Sequence, residues 1–359
     1  MRGAMESTVV GTRAREARFR LRLGRYGVAL AALILACAAG VMVGKAPLDL
    51  GTVLGILASR LHLSQAAPWW PASYETILME IRLPRVVLAA LVGAALSMAG
   101  ATYQGLFRNP LADPYLVGVA GGAGLGATIA IAAPLPPAFY SMGIVQIAAF
   151  LGAVLAVALV YSLARVGRST PMTTLLLAGV VVGLLANALT SFVMYWEGDH
   201  LTMIYSWLLG GFNVANWQQV VLVGPGVAIA AVAISLLGRI ANVMQLDDDQ
   251  ARSLGVNVEL VKLVLVLGAT LATATAVSAA GLIGFVGLVV PHFVRIVWGP
   301  DHRSLIPLCL LVGATFLVAA DTGARLLPGP QEVPVGIVTA FCGAPFFLYL
   351  LRQQKRSVF

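Results

Sequence analysis

Residues 86–133 read "VVLAALVGAALSMAGATYQGLFRNPLADPYLVGVAGGAGLGATIAIAA", two apolar runs separated by the polar stretch "RNPLADP". Each run is close to the roughly 20 residues that a helix needs to cross a bilayer. Non-helical backbone cannot lie in lipid, because its N–H and C=O groups would have no partners. Pro110 stops the first helix, and Asp113 suits the cap of the next, with Pro114 at its first position. The stretch therefore predicts two transmembrane helices joined by a tight turn outside the bilayer.

The rest of the chain repeats this pattern. Only 11% of its residues are charged and its mean hydropathy is +0.91, whereas a soluble domain carries roughly 25% charged residues. These values predict an all-α fold, a polytopic membrane protein with about ten transmembrane helices. We expect a single transmembrane domain over 26–351, between a basic tail, 1–25, and a short C-terminal tail, 352–359. The apolar segments lie at 26–44, 86–107, 114–133, 142–164, 174–196, 217–238, 260–278, 281–298, 305–326 and 334–351.

The basic residues predict the orientation of these helices. All but five of the 23 Lys and Arg residues fall on one side if the N-terminus is cytoplasmic. Under the positive-inside rule both termini then lie in the cytoplasm, as in a multi-pass protein of the bacterial cytoplasmic (inner) membrane. The tail is too long and too basic for a signal peptide. This distribution also accounts for the net charge of +8 without a nucleic-acid partner. The five exceptions are Lys45, Arg60, Arg82, Arg85 and Arg325.

The sequence carries little that suggests chemistry or ion coupling. The cysteines and histidines are scattered, so no metal site is expected. The stretch "GVMVGKAP" (40–47) resembles a phosphate-binding loop but is one residue short and lacks the final Ser or Thr. Asp321 is the clearest ionisable residue at membrane depth, and Arg325 one turn later favours a local ion pair over a relay.

An ion-driven carrier needs coupling groups at membrane depth. Their scarcity favours a transporter that takes its energy from a partner protein. Two alternatives remain: an ion-coupled secondary carrier, and a membrane-embedded subunit of an enzyme complex.

The longest predicted cytoplasmic connection is "MQLDDDQARSLGVNVELVK" at 244–262. Asp247 suits a helix cap, and Asp248 suits the positive first turn. Leu246, Ala251 and Leu254 can share one face, and Gly255 is a fitting residue after the helix end. The stretch predicts a short amphipathic helix that docks in another protein's groove, with a solvated loop helix as the alternative.

Two further groups of residues have open interpretations. Arg82 and Arg85, in "RLPR", lie on the predicted outer side at the start of a helix. Basic residues are unfavourable there, because they usually lie on the cytoplasmic side and because the start of a helix is the positive end of its dipole. They could dock an acidic external partner or reach lipid phosphates. Ser97, Gln104 and Asn187 lie on helices with stripes of small residues, which could serve helix packing alone or line a pathway.

Several longer stretches resemble the FecCD-type permease subunits of type II ATP-binding-cassette (ABC) importers, which take up cobalamin, haem and ferric siderophores. The resemblance runs from about residue 80 to 350. It rests on "RLPR", "GAALSMAGATYQGLFRNPLADP", "TTLLLAG", "WLLGGF", "ARSLGV", "GFVGLVVPHFVR", "GPDHR", "AADTGAR" and "EVPVGIVTAFCGAPFF".

The resemblance implies the type II ABC importer permease fold and a homodimer with a pathway along its two-fold axis. It also implies two ATPase subunits and a periplasmic or lipoprotein substrate-binding protein as partners. The chain would bind no cofactor and perform no chemistry, since ATP and magnesium would lie on the partner ATPase. Transport would proceed by alternating access.

The same resemblance implies roles for individual residues. Met172 and Thr173 begin a gating helix, and Asn109, Pro110 and Leu111 match a second cytoplasmic gate. Residues 244–261 match the coupling helices that contact the ATPase. Arg82, Arg85 and Arg325 match arginines that pair with glutamates of the binding protein. The coupling residues are Asp247, Asp248, Ala251, Arg252, Leu254 and Gly255.

Overall fold

The structure is a computed structural model that describes residues 24–44, 46, 48–63, 69–136, 143–329 and 332–356. The predicted N-terminal tail lies outside the described residues, apart from its last two positions. Residues 352–356 continue the last helix instead of forming a separate tail.

The described residues are almost entirely helical, as the apolar segments predict. A short 3₁₀ turn, Pro114–Val117, precedes the fourth helix. The helices are α1 (Gly24–Met42), α2 (Leu50–Arg60), α3 (Ala72–Leu106), α4 (Val119–Ala132), α5 (Ile144–Ala164), α6 (Met172–Trp196), α7 (Leu201–Leu209), α8 (Trp217–Leu236), α9 (Gly238–Val243), α10 (Asp248–Ser253), α11 (Val258–Ala280), α12 (Val286–Trp298), α13 (His302–Leu326) and α14 (Val335–Arg356).

Each of the ten predicted segments coincides with one of these helices. Within the described ranges, seven helices are long and apolar enough to cross a membrane, and α4, α12 and the start of α14 are shorter apolar helices. The all-α membrane fold is therefore confirmed. The structure adds α2 and an early start of α3 at Ala72, which includes a π-helical stretch, Ile77–Arg82.

Helix α3 lies at the centre of the bundle. It packs against α8, α11, α12 and α13, and 78% of its most apolar window is buried, compared with 22% for α6. Polar groups on α3 therefore meet protein partners, whereas much of the surface of α6 is left uncovered in this single chain.

Glycines let α3 approach its neighbours closely. A Cβ atom on Gly93 would overlap the backbone carbonyl of Gly313 on α13, and one on Gly100 would overlap that of Gly287 on α12. Small residues on α4 form a similar stripe that does the same, since Gly122 faces the backbone of Gly152 on α5. At these positions the stripes serve helix packing, which lets backbones meet without side chains between them.

Candidate gate and coupling sites

The polar turn after α3 is tightly built. Asp113 caps the 3₁₀ helix, with its Oδ1 accepting from the Tyr115 amide at 2.7 Å and Pro114 in the first position, as predicted. The Oδ1 atom of Asn109 accepts from the Leu111 amide at 2.9 Å. Asn109 and Leu111 are exposed while Pro110 is half-buried. The turn thus hydrogen-bonds part of its own backbone and presents its tip at the surface of the chain.

Tyr115 fixes this turn to another part of the chain. Its hydroxyl donates to the carbonyl of Ile283 at 2.9 Å and accepts from the Ile283 amide at 3.1 Å. Ile283 belongs to the short connection between α11 and α12. Two hydrogen bonds to one hydroxyl give the turn a defined position against the bundle.

The 244–262 stretch contains the short helix α10 and the start of α11. Gly255 follows the helix end with φ of +81°, as predicted. Asp247 occupies the cap position but makes no side-chain cap hydrogen bond; its carboxylate lies 3.4 Å from Arg108 instead. Arg252 contacts Asp249 at 2.9 Å, and both side chains are exposed at the surface of the chain.

One detail of the predicted docking face is wrong. Leu246 and Leu254 are exposed, at 42% and 64%, but Ala251 is fully buried. Ala251 therefore packs the helix onto the bundle, while the two leucines are left uncovered in this single chain.

The Asp248 carboxylate is held in its charged form. Partial burial acts to raise its pKa, but hydrogen bonds and charges from Lys262 and Arg108 outweigh it, so the pKa lies below the ordinary 3.8. A depressed carboxylate pKa contributes stability above the ordinary value, and that stability is lost as pH falls through the lowered value. The contact therefore persists throughout the neutral range.

Helix α6 presents a largely exposed face that includes the predicted pathway residues. Thr173 and Asn187 are exposed and Met172 is half-buried at the start of the helix. An amide in the middle of an apolar helix is costly against lipid, so such residues normally face a bundle interior or a water-filled cavity. This face is consistent with a pathway formed outside the single chain.

Ser97 and Gln104 are placed differently, inside the bundle. Ser97 is completely buried where α3 crosses α13. Gln104 accepts from Arg295 at 3.0 Å and donates to the carbonyl of Leu288 at 3.3 Å. Both positions favour the packing alternative over a pathway role.

The three arginines predicted to dock a binding protein are buried at the opposite end of α3. Arg85 donates to Asp321 at 2.8 Å and to Glu332 at 2.7 Å. Arg325 lies 3.2 Å from Asp321, as the predicted local ion pair requires. Arg82 donates to the carbonyls of Val41, Met42 and Ala46, within the stretch that resembles a phosphate-binding loop. Docking stays a prediction: a partner carboxylate would have to displace internal carboxylates at Arg85 and Arg325 and backbone carbonyls at Arg82.

Sequence reasoning missed the partners of the short helix α10. Lys262 and Glu259, one turn apart at the start of α11, contact Asp248 and Arg252 of α10, and Glu259 also accepts from the Thr170 amide. The available signal was a pair of opposite charges at helical spacing at the beginning of an apolar helix. The distant partners Arg108 and Thr170 had no local signal.

Comparison with known proteins agrees with this geometry. The sequence profile described as the FecCD transport family matches residues 32–353. The uncharacterized ABC transporter permease protein YvrB of Bacillus subtilis is 40% identical over 357 residues, covering 95% of this chain and 97% of that one. The cobalamin import system permease protein BtuC of Halobacterium salinarum is 46% identical, covering 82% and 79%. The hemin transport system permease protein HmuU of Yersinia pestis is 40% identical, covering 78% and 84%.

A solved structure shows the same fold. It is described as an inward-facing conformation of a metal-chelate type ABC transporter, and it matches with a TM-score of 0.78 and 29% identity. The match covers 93% of this chain and 99% of that chain. The chain therefore belongs to the FecCD transport family, the permease subunits of type II ABC importers.

Proposed function

We propose that the chain is the translocation subunit of an ATP-driven importer for a metal chelate: cobalamin, haem or a ferric siderophore. Relatives named for cobalamin, hemin and iron chelatin import support this substrate class. The observation that supports the ATP-driven mechanism is the pair of exposed leucines, Leu246 and Leu254, on either side of the short surface helix α10. In this proposal Leu254 docks in a groove of a separate ATPase.

Asp321 supports a partner-driven mechanism over an ion-coupled carrier. It is the clearest ionisable residue at membrane depth, and its carboxylate pairs with Arg85 and Arg325. An ion relay needs a group that can change its charge or release its ligand. A carboxylate held between two guanidiniums is poorly suited to that role.

We further propose that two copies assemble around a central pathway, with two ATPases on one side and a binding protein on the other. The exposed face of α6, with Asn187 at its middle, supports the pathway position. ATP binding would close the ATPases, move the α10 segments and switch access to the cavity, a change between two states. The polar turn at 109–111 and the start of α6 would act as the cytoplasmic gates.

Substrate-stimulated ATP hydrolysis tests this function. The permease would be reconstituted with the ATPase and binding protein encoded beside it, and cyanocobalamin, hemin and a ferric siderophore would be compared. We expect one chelate class to stimulate hydrolysis and to enter vesicles only with ATP. Uphill uptake by the purified chain in vesicles without any nucleotide hydrolase would overturn the proposal.

The Leu254→Glu variant tests the docking surface. Because a charge would be forced into an apolar contact, we expect substrate stimulation of ATP hydrolysis to fall roughly tenfold, as for an interface hot spot. Leu254→Met is the matched control, because methionine keeps an apolar side chain of similar volume at this exposed position and should preserve stimulation. Equal stimulation in both variants would remove Leu254 from the interface.

A further inference from the structure

Lys262 is a buried cation at the start of α11. The residue is 2% exposed, and its Nζ lies 2.5 Å from Oδ2 of Asp248 on α10. The same Nζ donates to the carbonyl of Thr170 at 3.3 Å. A lysine so deeply buried must keep such partners, because an unpaired buried charge is strongly unfavourable.

Both backbone groups of Thr170 are hydrogen-bonded to side chains of α11. Its carbonyl accepts from Lys262, and its amide donates to Oε2 of Glu259 at 2.9 Å. Glu259 and Lys262 are one turn apart on α11, with a separation of 3.5 Å between their charged groups. Thr170 stands two residues before Met172, where α6 begins. Side chains from the first two turns of α11 therefore hold Thr170, just before α6, by two hydrogen bonds.

The other oxygen of Asp248 reaches the polar turn. Its Oδ1 accepts from Nη2 of Arg108 at 2.9 Å, and Nε of Arg108 donates to the carbonyl of Met244 at 3.0 Å. Arg108 immediately precedes Asn109 and adopts a left-handed backbone with φ of +50°. Asp248 is thus the junction between α10, the start of α11 and the turn that follows α3.

We propose that Asp248 and Lys262 are positioning residues that transmit movement of α10 to both predicted gates at once. One branch runs from Asp248 through Arg108 to the turn at 109–111. The other runs through Lys262 and Glu259 to Thr170 and the start of α6. This inference rests on the proposed function, since it assigns the route by which the docked ATPase acts on the pathway.

The physical basis of the Lys262 branch is the stiffness of a buried, charge-assisted contact. The Asp248–Arg108 pair is about one-third exposed, and Arg108 is held there also by its hydrogen bond to the Met244 carbonyl. Exposed ion pairs contribute little and yield easily, as expected for Arg252 and Asp249, with side chains 48% and 95% exposed. The Lys262 side chain is only 3% exposed, so separating it from Asp248 would leave its charge in a poorly solvated site. The segments it joins are therefore expected to move together.

Lys262→Met gives the sharpest test, because a docked partner cannot touch a residue that is 2% exposed. Methionine removes the charge and keeps an unbranched chain. In the reconstituted complex we expect near wild-type ATP hydrolysis, while the number of chelates imported per ATP falls roughly tenfold, a coupling of ordinary allosteric size. A loss of import in proportion to the amount of assembled complex, with imports per ATP unchanged, would overturn the proposal.

A matched pair of carboxamide variants covers the case in which Lys262→Met fails to fold. Asp248→Asn and Asp249→Asn make the same charge change on the same short helix, but only Asp248 contacts Lys262 and Arg108. We expect imports per ATP to fall for Asp248→Asn and to stay at the wild-type value for Asp249→Asn. Equal ratios in the two variants would sink the transmission role.

The three variants distinguish failure of the transmission route from failure of the proposed docking surface. If Leu254→Glu leaves coupling intact, the docking surface itself is wrong. If Leu254→Glu uncouples the complex but Lys262→Met and Asp248→Asn do not, docking stands and the transmission route fails.

Discussion

Replacing Asp321 with alanine should lower the free energy of unfolding by about 3–5 kcal/mol, the usual effect of breaking a buried ion pair. The Asp321 carboxylate is 1% exposed and accepts three hydrogen bonds from Arg85, at 2.8, 3.0 and 3.1 Å. It also lies 3.2 Å from Nε of Arg325. Alanine would leave two guanidiniums buried, with their charge only partly compensated by Glu332. The midpoint of thermal unfolding in detergent and the amount of protein in the membrane would report the loss.

Two further variants show whether the loss comes from unpaired charge. Asp49→Ala removes an aspartate that caps α2 on the surface, where its Oδ2 accepts from the Thr52 amide at 3.0 Å. This control should lose much less stability, because it removes only a helix cap at the surface. Adding Arg85→Met to Asp321→Ala should recover part of the stability, because one buried charge is then removed. An Asp321→Ala protein as stable as the Asp49→Ala control would contradict this account.

Gly100→Ala should be the most damaging single-methyl addition, at about 3 kcal/mol, the upper end of the range for overpacked cores. The new Cβ would overlap the backbone carbonyl of Gly287, and a backbone obstacle cannot rotate away as a side chain can. Helices α3 and α12 would have to separate. That shift would also disturb the contact of Gln104 with Arg295, one turn further along α3.

Gly323→Ala on α13 is the matched control, since no atom lies within 4 Å of its added Cβ. There alanine should be neutral or stabilising by up to about 1 kcal/mol, because it favours the helix more than glycine does. Thermal unfolding of the two variants side by side measures the difference. Similar midpoints would mean that the α3–α12 contact is more adaptable than its geometry indicates.

Local patterns in the sequence account for much of the fold. Each apolar segment that the sequence marks becomes a helix, because a chain in lipid must satisfy its backbone within each segment. The cap at Asp113 and the positive φ of Gly255 were also predictable, since both depend on residues within a few positions. The added start of α3 at Ala72 was not, because its polar first turns carry no apolar periodicity.

The candidate site was only partly predictable. The segment at 244–262 was identified by its acidic cap, its leucines and its glycine, and Leu254 is indeed exposed. The inward position of Ala251 was missed, because a helix of one and a half turns has too few residues to define its buried face. The docking role of Arg82 and Arg85 was suggested by their side of the membrane, and that of Arg325 by the family resemblance. Neither signal reveals an internal hydrogen-bond partner.

By itself, the sequence determined what each segment does alone: which stretches enter the membrane, where they turn, and which end the basic residues favour. Tertiary structure alone decided which charges meet. Asp321 is 236 positions from Arg85, and Arg108 is 140 from Asp248. Hydrophobic periodicity sets how a helix presents itself to lipid, but ion pairing depends on how helices pack against each other. That packing is decided by close contacts such as those at Gly93 and Gly100, whose partners lie far along the chain.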